Sequence, residues 1–220
     1  MKETRLTFIN RLTPRFTQEE IDLIMFAYDL SKEAHRTQKR QQGGRYFEHP
    51  RTGCIILMDE LGVYDSNLLI SFLLHDVGED TPMFGNVTDG WNAFITTARF
   101  RIARIFNEHI ADTVIKLTKP HIDADTTDFA DKTSMMSHYL GELVKNEDAL
   151  VLKALDRLHN LRTIPHHKKG WATKQVRETE EVLIPAFKQA TGNRAKLMER
   201  LLAKLGAEMV NLQVHTETGV

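Results

Sequence analysis

With 220 residues the chain can bury a sizeable core in one domain, and 41% apolar with 27% charged residues is an ordinary globular composition. A formal net charge of −1, with no long block of one sign, offers no surface for nucleic acid or membrane, so neither partner is expected. No apolar run reaches membrane-spanning length, Met1-Lys2-Glu3-Thr4 opens no signal core, and the single Cys54 cannot form an internal disulfide, so a cytoplasmic protein is expected.

Residues 1–16 contain Pro14 and little periodicity, and are expected to be an irregular lead-in. Thr17-Gln18-Glu19-Glu20 has the pattern of a capping box, and Ile21, Ile24, Met25 and Tyr28 follow at helical spacing, which predicts a helix running to about Arg40. Gly43-Gly44 favours a left-handed stop, and Pro50 suits the first turn of a new helix over about 50–61, which Gly62 ends. Cys54 lies in the apolar run of that helix and reads as packing. Asp65-Ser66 caps a further helix over about 66–79.

Pro82, Gly85, Asn86 and Gly90 predict a loop over 81–94, and residues 95–116 are expected to be helical, in two pieces. Asp123, Asp125, Asp128 and Asp131 mark 120–131 as an acidic, solvated loop. Helices are expected over about 132–145 and 147–163, the latter with a wide apolar face from Leu150 to Leu161. Another is expected over about 172–190, bent near Pro185, and a last over 193–210, with 211–220 as a flexible tail. No strand runs and no internal repeat occur, so the class is all-α, a single helical bundle over 17–210.

The helix over 66–79 ends in a polar cluster: Leu68 to Leu74 is almost wholly apolar and leads into His75, Asp76, Glu79 and Asp80. At spacings of three and four these residues project from one end of a buried helix toward one side. Carboxylates crowded beside an imidazole repel one another unless a proton or cation lies between them. Spacing alone leaves two readings open, a buried hydrogen-bonded His-Asp couple or a metal site. Two further stretches can complete such a site: His49, just before Pro50, and Asp156, which shares a face with Asn160 on an otherwise apolar helix. Two imidazoles and two carboxylates leave open positions on a six-coordinate cation, and Glu79 and Asp80 are then candidates to orient or deprotonate a water.

Several separated pieces occur together in order. They are Ala34-His35-Arg36-Thr37-Gln38-Lys39-Arg40, Gly44-Arg45-Tyr46-Phe47-Glu48-His49-Pro50, His75-Asp76-Val77-Gly78-Glu79-Asp80-Thr81 and Asp156-Arg157-Leu158-His159-Asn160-Leu161-Arg162-Thr163. With Val114 to Lys119, Arg177-Glu178-Thr179 and Ile184-Pro185, they make the chain from about 27 to 190 resemble the HD-domain (p)ppGpp hydrolase module of the RelA/SpoT enzymes and the stand-alone small alarmone hydrolases. The resemblance implies an HD-domain helical bundle and Mn²⁺-dependent removal of pyrophosphate from the ribose 3′ position of (p)ppGpp, with another divalent transition metal as an option. It assigns the metal to His49, His75, Asp76 and Asp156, the water to Glu79 and Asp80, and the nucleotide to Arg40, Asn160 and Thr163.

The sequence departs from the family pattern at Arg45, where Pro is usual, at Gln41, where a basic residue is common, and at Phe106-Asn107, where Phe-Gly is usual. The stretch between Thr81 and Phe106 is also longer. These departures bear on base and phosphate recognition and leave the metal residues intact. The alternatives are therefore the same centre acting on another nucleotide, such as the 2′-phosphate of NADPH or a deoxynucleotide triphosphate, and a non-catalytic nucleotide sensor. No synthetase segment follows, so hydrolysis without synthesis is expected. Oligomeric state is left open. His35 and His159 are expected to be structural hydrogen-bonders, His166-His167-Lys168-Lys169 a solvated run, and Trp91 and Trp171 packing residues.

Overall fold

The computed structural model describes residues 3–40, 43–86, 89–120, 131–164 and 169–218, and the regular elements among them are helical. Gln41, most of the expected acidic loop (121–130) and the run His166-His167-Lys168 lie outside the described residues. Two compact units are present, one from Met1–Gln38 with Arg45–Asp128, the other from Lys39–Gly44 with Phe129–Val220.

The first unit opens with α1 (Arg5–Leu12), where an irregular lead-in was expected. Thr4 and Thr7 cap it reciprocally, and Phe8 and Leu12 are buried, Phe8 against Tyr28 with ring centroids 5.1 Å apart. The capping box at Thr17 starts α2 (Gln18–Ala34), which buries Ile21, Ile24, Met25 and Tyr28 as its periodicity requires. This helix stops short of Arg40. Beyond it Gln38 turns back, its carbonyl accepting the Tyr46 N–H at 3.2 Å, so residues near 40 form a loop rather than a further helical turn.

α3 (Glu48–Ile55) begins two residues ahead of Pro50, which places His49 inside its first turn, and it widens into a π turn over Ile56–Glu60. α4 (Ser66–Asp80) is capped by Asp65, whose carboxylate accepts the N–H groups of Asn67 and Leu68. It packs against α2, α3 and α6, and from Leu68 to His75 every residue is buried. The approach of α3 to α4 needs a glycine: a Cβ on Gly53 would lie 1.8 Å from Phe72 Cε1. The helical segment over 95–116 is indeed two pieces, α5 (Trp91–Ile105) and α6 (Glu108–Leu117), separated at Phe106-Asn107, with Asn107 capping the second. Arg99 of α5 clasps Glu108 and Asp112 of α6, both at 2.8 Å. Trp91 stacks on Phe94, ring centroids 5.5 Å apart, in line with a packing role.

In the second unit α8 (Glu147–Arg162) is the central helix, packed by α7 (Lys132–Leu143), α9 (Lys169–Glu178), α10 (Ile184–Phe187) and α11 (Ala195–Thr218). The expected bend near Pro185 is a π turn over Thr179–Leu183, which spares the proline a clash with the turn before it. Glu147 and Asp148 at the start of α8 hold the connection into α11, Glu147 accepting the Gly192 N–H at 2.6 Å and Asp148 pairing with Arg194 at 2.5 Å. α11 continues helically to Thr218, where a flexible tail from 211 was expected. Among the described residues no helix is long and apolar enough to cross a membrane.

Candidate metal centre

At the C-terminal end of α4 the apolar cylinder turns polar, and the first turn of α3 faces it. His49, His75 and Asp76 each offer one ligand atom, and these atoms lie within 4.8 Å of one another. His75 Nε2 is 3.0 Å from Asp76 Oδ1, and His49 Nε2 is 3.6 Å from Asp76 Oδ2. Both imidazoles are buried and Phe72 backs them, its ring stacked on His75 at 4.6 Å and tilted against His49 at 5.9 Å. Phe72 is in turn the ring that Gly53 admits, so the close helix approach and the donor set are one arrangement.

The donor chemistry suits a divalent transition-metal ion. His75 Nδ1 lies 2.7 Å from the Phe72 carbonyl, which can only accept, so that nitrogen carries a proton and Nε2 is the nitrogen that faces Asp76. A lone pair facing a carboxylate oxygen is relieved by a proton or a cation, and a histidine oriented by a backbone carbonyl is a common way to fix a ligating imidazole. His49, His75 and Asp76 therefore form a possible metal-binding group.

Two carboxylates continue the site. Asp80, the last residue of α4, accepts the Tyr46 hydroxyl at 2.7 Å, and the same hydroxyl is 3.1 Å from Asp76 Oδ2. Burial, followed by the charge of Asp76, pushes the Asp80 carboxyl above its ordinary range, with the Tyr46 bond opposing. Burial, followed by the charges of Asp76 and Asp80, pushes the Tyr46 phenol up as well, so it is a neutral donor. Glu79 takes a different direction: its Oε2 accepts the Lys119 N–H at 3.1 Å, just beyond the C-terminus of α6.

Tyr46 is the residue that sequence reasoning left without a role. It belongs to a quoted motif, but it is 30 positions from Asp76, and no local periodicity links the two. His35 is structural, as expected: it is buried, its Nδ1 is 2.6 Å from Gln38 Oε1, and its ring stacks on Tyr46 at 4.7 Å. Cys54 is buried with its thiol pKa pushed up by burial, which fits packing and not thiol chemistry.

The remaining residues singled out in the sequence lie in the second unit. Asp156 is buried on α8, its Oδ2 paired with Lys153 Nζ at 2.9 Å and its Oδ1 accepting Asn160 Nδ2 at 2.7 Å. The spacing-four pairing of Asp156 with Asn160 is thus a direct hydrogen bond. Asn160 Oδ1 accepts Arg40 at 2.8 Å, and the Thr163 hydroxyl is 3.4 Å from the same guanidinium nitrogen. Arg40, Asn160 and Thr163 are therefore one connected group.

No protein-family model matches the chain. Over 183 residues, 83% of the chain, it is 30% identical to a protein of Streptomyces coelicolor described as a GTP pyrophosphokinase. Over 184 residues, 80% of the chain, it is 27% identical to the bifunctional (p)ppGpp synthase/hydrolase SpoT of Escherichia coli. The chain is a relative of the RelA/SpoT-type proteins. This RelA/SpoT relative is also 30% identical, over 174 residues and 74% of its length, to a probable guanosine-3′,5′-bis(diphosphate) 3′-pyrophosphohydrolase of Mycoplasma pneumoniae. It spans only 20%, 23% and 21% of the lengths of these three proteins.

Proposed function

We propose that the chain is a metal-dependent phosphohydrolase that removes pyrophosphate from the ribose 3′ position of (p)ppGpp. The observation that carries this reading is the cluster of His49, His75 and Asp76 at the polar end of α4, with Asp80 linked to it through Tyr46. The relatives named for synthesis or hydrolysis of this nucleotide supply the substrate.

In this reading His49, His75, Asp76 and Asp156 would hold Mn²⁺ or another divalent transition-metal ion. When bound, such an ion supplies a Lewis acid that lowers the pKa of water and neutralises charge on a phosphate oxygen. The protein's own groups do the rest. Asp80 and Glu79 orient the water and take its proton as its oxygen bonds to the 3′ phosphorus; the bond from that phosphorus to the ribose oxygen breaks, and that oxygen leaves as a hydroxyl once the proton is passed on to it. The upward shift of the Asp80 carboxyl, caused first by burial, moves it in the direction a base working near neutral pH needs. Arg40, held by Asn160 and Thr163, presents a pre-oriented guanidinium to a phosphate, which suits planar recognition of an anion. A lone buried thiol and a nucleotide substrate both fit a cytoplasmic location.

The test is a nucleotide panel with product identification, run on metal-stripped protein with and without added Mn²⁺. Pyrophosphate release from ppGpp only when the ion is present is expected. Phosphate from NADPH, or triphosphate from a deoxynucleotide, would reassign the substrate, and binding without any product would make the protein a sensor. Full-rate hydrolysis by stripped protein would overturn the metal mechanism.

A further inference from the structure

The Tyr46 hydroxyl touches two carboxylates and has one proton to give. The shorter contact, 2.7 Å, is to Asp80, and the longer, 3.1 Å, is to Asp76. Asp76 and Asp80 lie one helical turn apart on α4, and two like charges at that spacing push each other outward unless a donor intervenes. Asp80 is also the last residue of its helix, where the backbone beyond it, at Thr81, is already extended. A carboxylate in that position is free to rotate unless something outside the helix holds it.

Two groups hold it, and they are joined to each other. Gln38 Nε2 donates to the Asp80 carbonyl at 3.0 Å, while Tyr46 holds the Asp80 side chain. Because the Gln38 amide donates to a carbonyl, its oxygen faces the other way, toward His35 Nδ1 at 2.6 Å. His35 then stacks on Tyr46 with an interplanar angle of 26°, and the Tyr46 N–H returns to the Gln38 carbonyl at 3.2 Å. The circuit closes: Asp80 to Gln38, to His35, to Tyr46 and back to Asp80. His35 and Gln38 lie just past the end of α2 and Tyr46 just before α3, so two chain segments converge on one carboxylate.

We infer that Tyr46 is a positioning residue that sets the Asp80 carboxylate against the metal ligand Asp76, with His35 and Gln38 aiming its ring. The inference rests on the proposed role of Asp80 and adds the device that orients it. It also gives the buried His35 a task. The stacking on His35 sets the plane of the phenol, whose hydroxyl lies between the two carboxylates. A phenylalanine at this position keeps the stack and removes the hydroxyl.

Tyr46→Phe, made in the full chain, therefore separates packing from positioning. With Mn²⁺ present, kcat for pyrophosphate release is expected to fall about 10- to 100-fold with KM within about twofold, the range typical of lost outer-sphere partners. Tyr46→Phe combined with Asp80→Asn should lose no more than Asp80→Asn alone, since both act through the same carboxylate. A second readout needs neither metal nor turnover: in metal-free protein, a denaturant cycle of the same variants should show the two side chains coupled by about tenfold in the unfolding constant. Gln38→Leu serves as an independent variant and should lower kcat in the same sense. Wild-type kcat in Tyr46→Phe, or additive losses in the cycles, would overturn the positioning role while leaving the hydrolase reading intact. Coupling in the unfolding cycle, in a protein that cleaves no nucleotide in the panel, would support the clamp and sink the proposed reaction.

Discussion

The two central helices, α4 and α8, each carry carboxylates on an otherwise apolar cylinder, and they meet them with different partners. On α4, Asp76 faces two imidazole nitrogens and a phenol. On α8, Asp156 faces the Lys153 ammonium and the Asn160 amide. The first arrangement is a possible metal-binding group. The second already holds a cationic side chain, which Asp156 would exchange if it served a metal. A buried charge is stable only when something opposes it, and on α8 that includes an ammonium from the same helix.

The largest expected effect tests the α4 side directly. His75→Ala should abolish Mn²⁺ binding by calorimetry and turnover with it; retention of wild-type affinity would remove His75 from the donor set. Next, Glu79→Gln should keep the metal affinity and lower kcat about 10²- to 10⁴-fold, the usual worth of a positioned acid or base. If kcat survives, the Glu79 carboxylate does no more than accept the Lys119 N–H.

Gly53→Ala asks whether the α3–α4 contact and the donor set are one structure. The added methyl meets Phe72, so a stability loss of about 1–3 kcal/mol in denaturant unfolding is expected, accompanied by weaker Mn²⁺ binding. Unchanged metal affinity at reduced stability would separate the two. A comparable effect belongs to α8. Lys153→Met removes the ammonium from Asp156 while keeping the Asn160 bond, and should cost on the order of 2 kcal/mol in metal-free protein. Added Mn²⁺ should shrink that deficit if Asp156 takes up the ion, and an undiminished deficit would exclude Asp156 as a ligand.

Much of the α4 end was legible because its signals are local. Asp65 caps, the stretch Leu68 to Leu74 is apolar except for Ser71, and the polar cluster sits at helical spacings. The same holds for Asp156 with Asn160, four apart on one helix and joined by a hydrogen bond. Elements that escaped did so for physical reasons. α1 is capped by Thr4 with Thr7 in place of the usual glutamate, so its start resembles ordinary polar sequence, and Pro14 lies past its end. α2 stops at Ala34 with no glycine or proline to announce it, because the contacts that compete with a further turn come from Tyr46. The role of Tyr46 itself is a tertiary fact: a residue in one motif completes a carboxylate pair in another.

The π turn over Ile56–Glu60 has a bearing on how this chain lines up with its relatives. Such a turn accommodates one residue more than an α turn, and here it ends the helix ahead of Leu61. A relative whose corresponding helix is uninterrupted should therefore be one residue shorter between the counterparts of His49 and His75. The gap belongs inside residues 56–60 and not in the connection before Asp65. An alignment that moves it there would put the end of this turn one position out of register, the core residues Leu57 and Met58 among those misassigned.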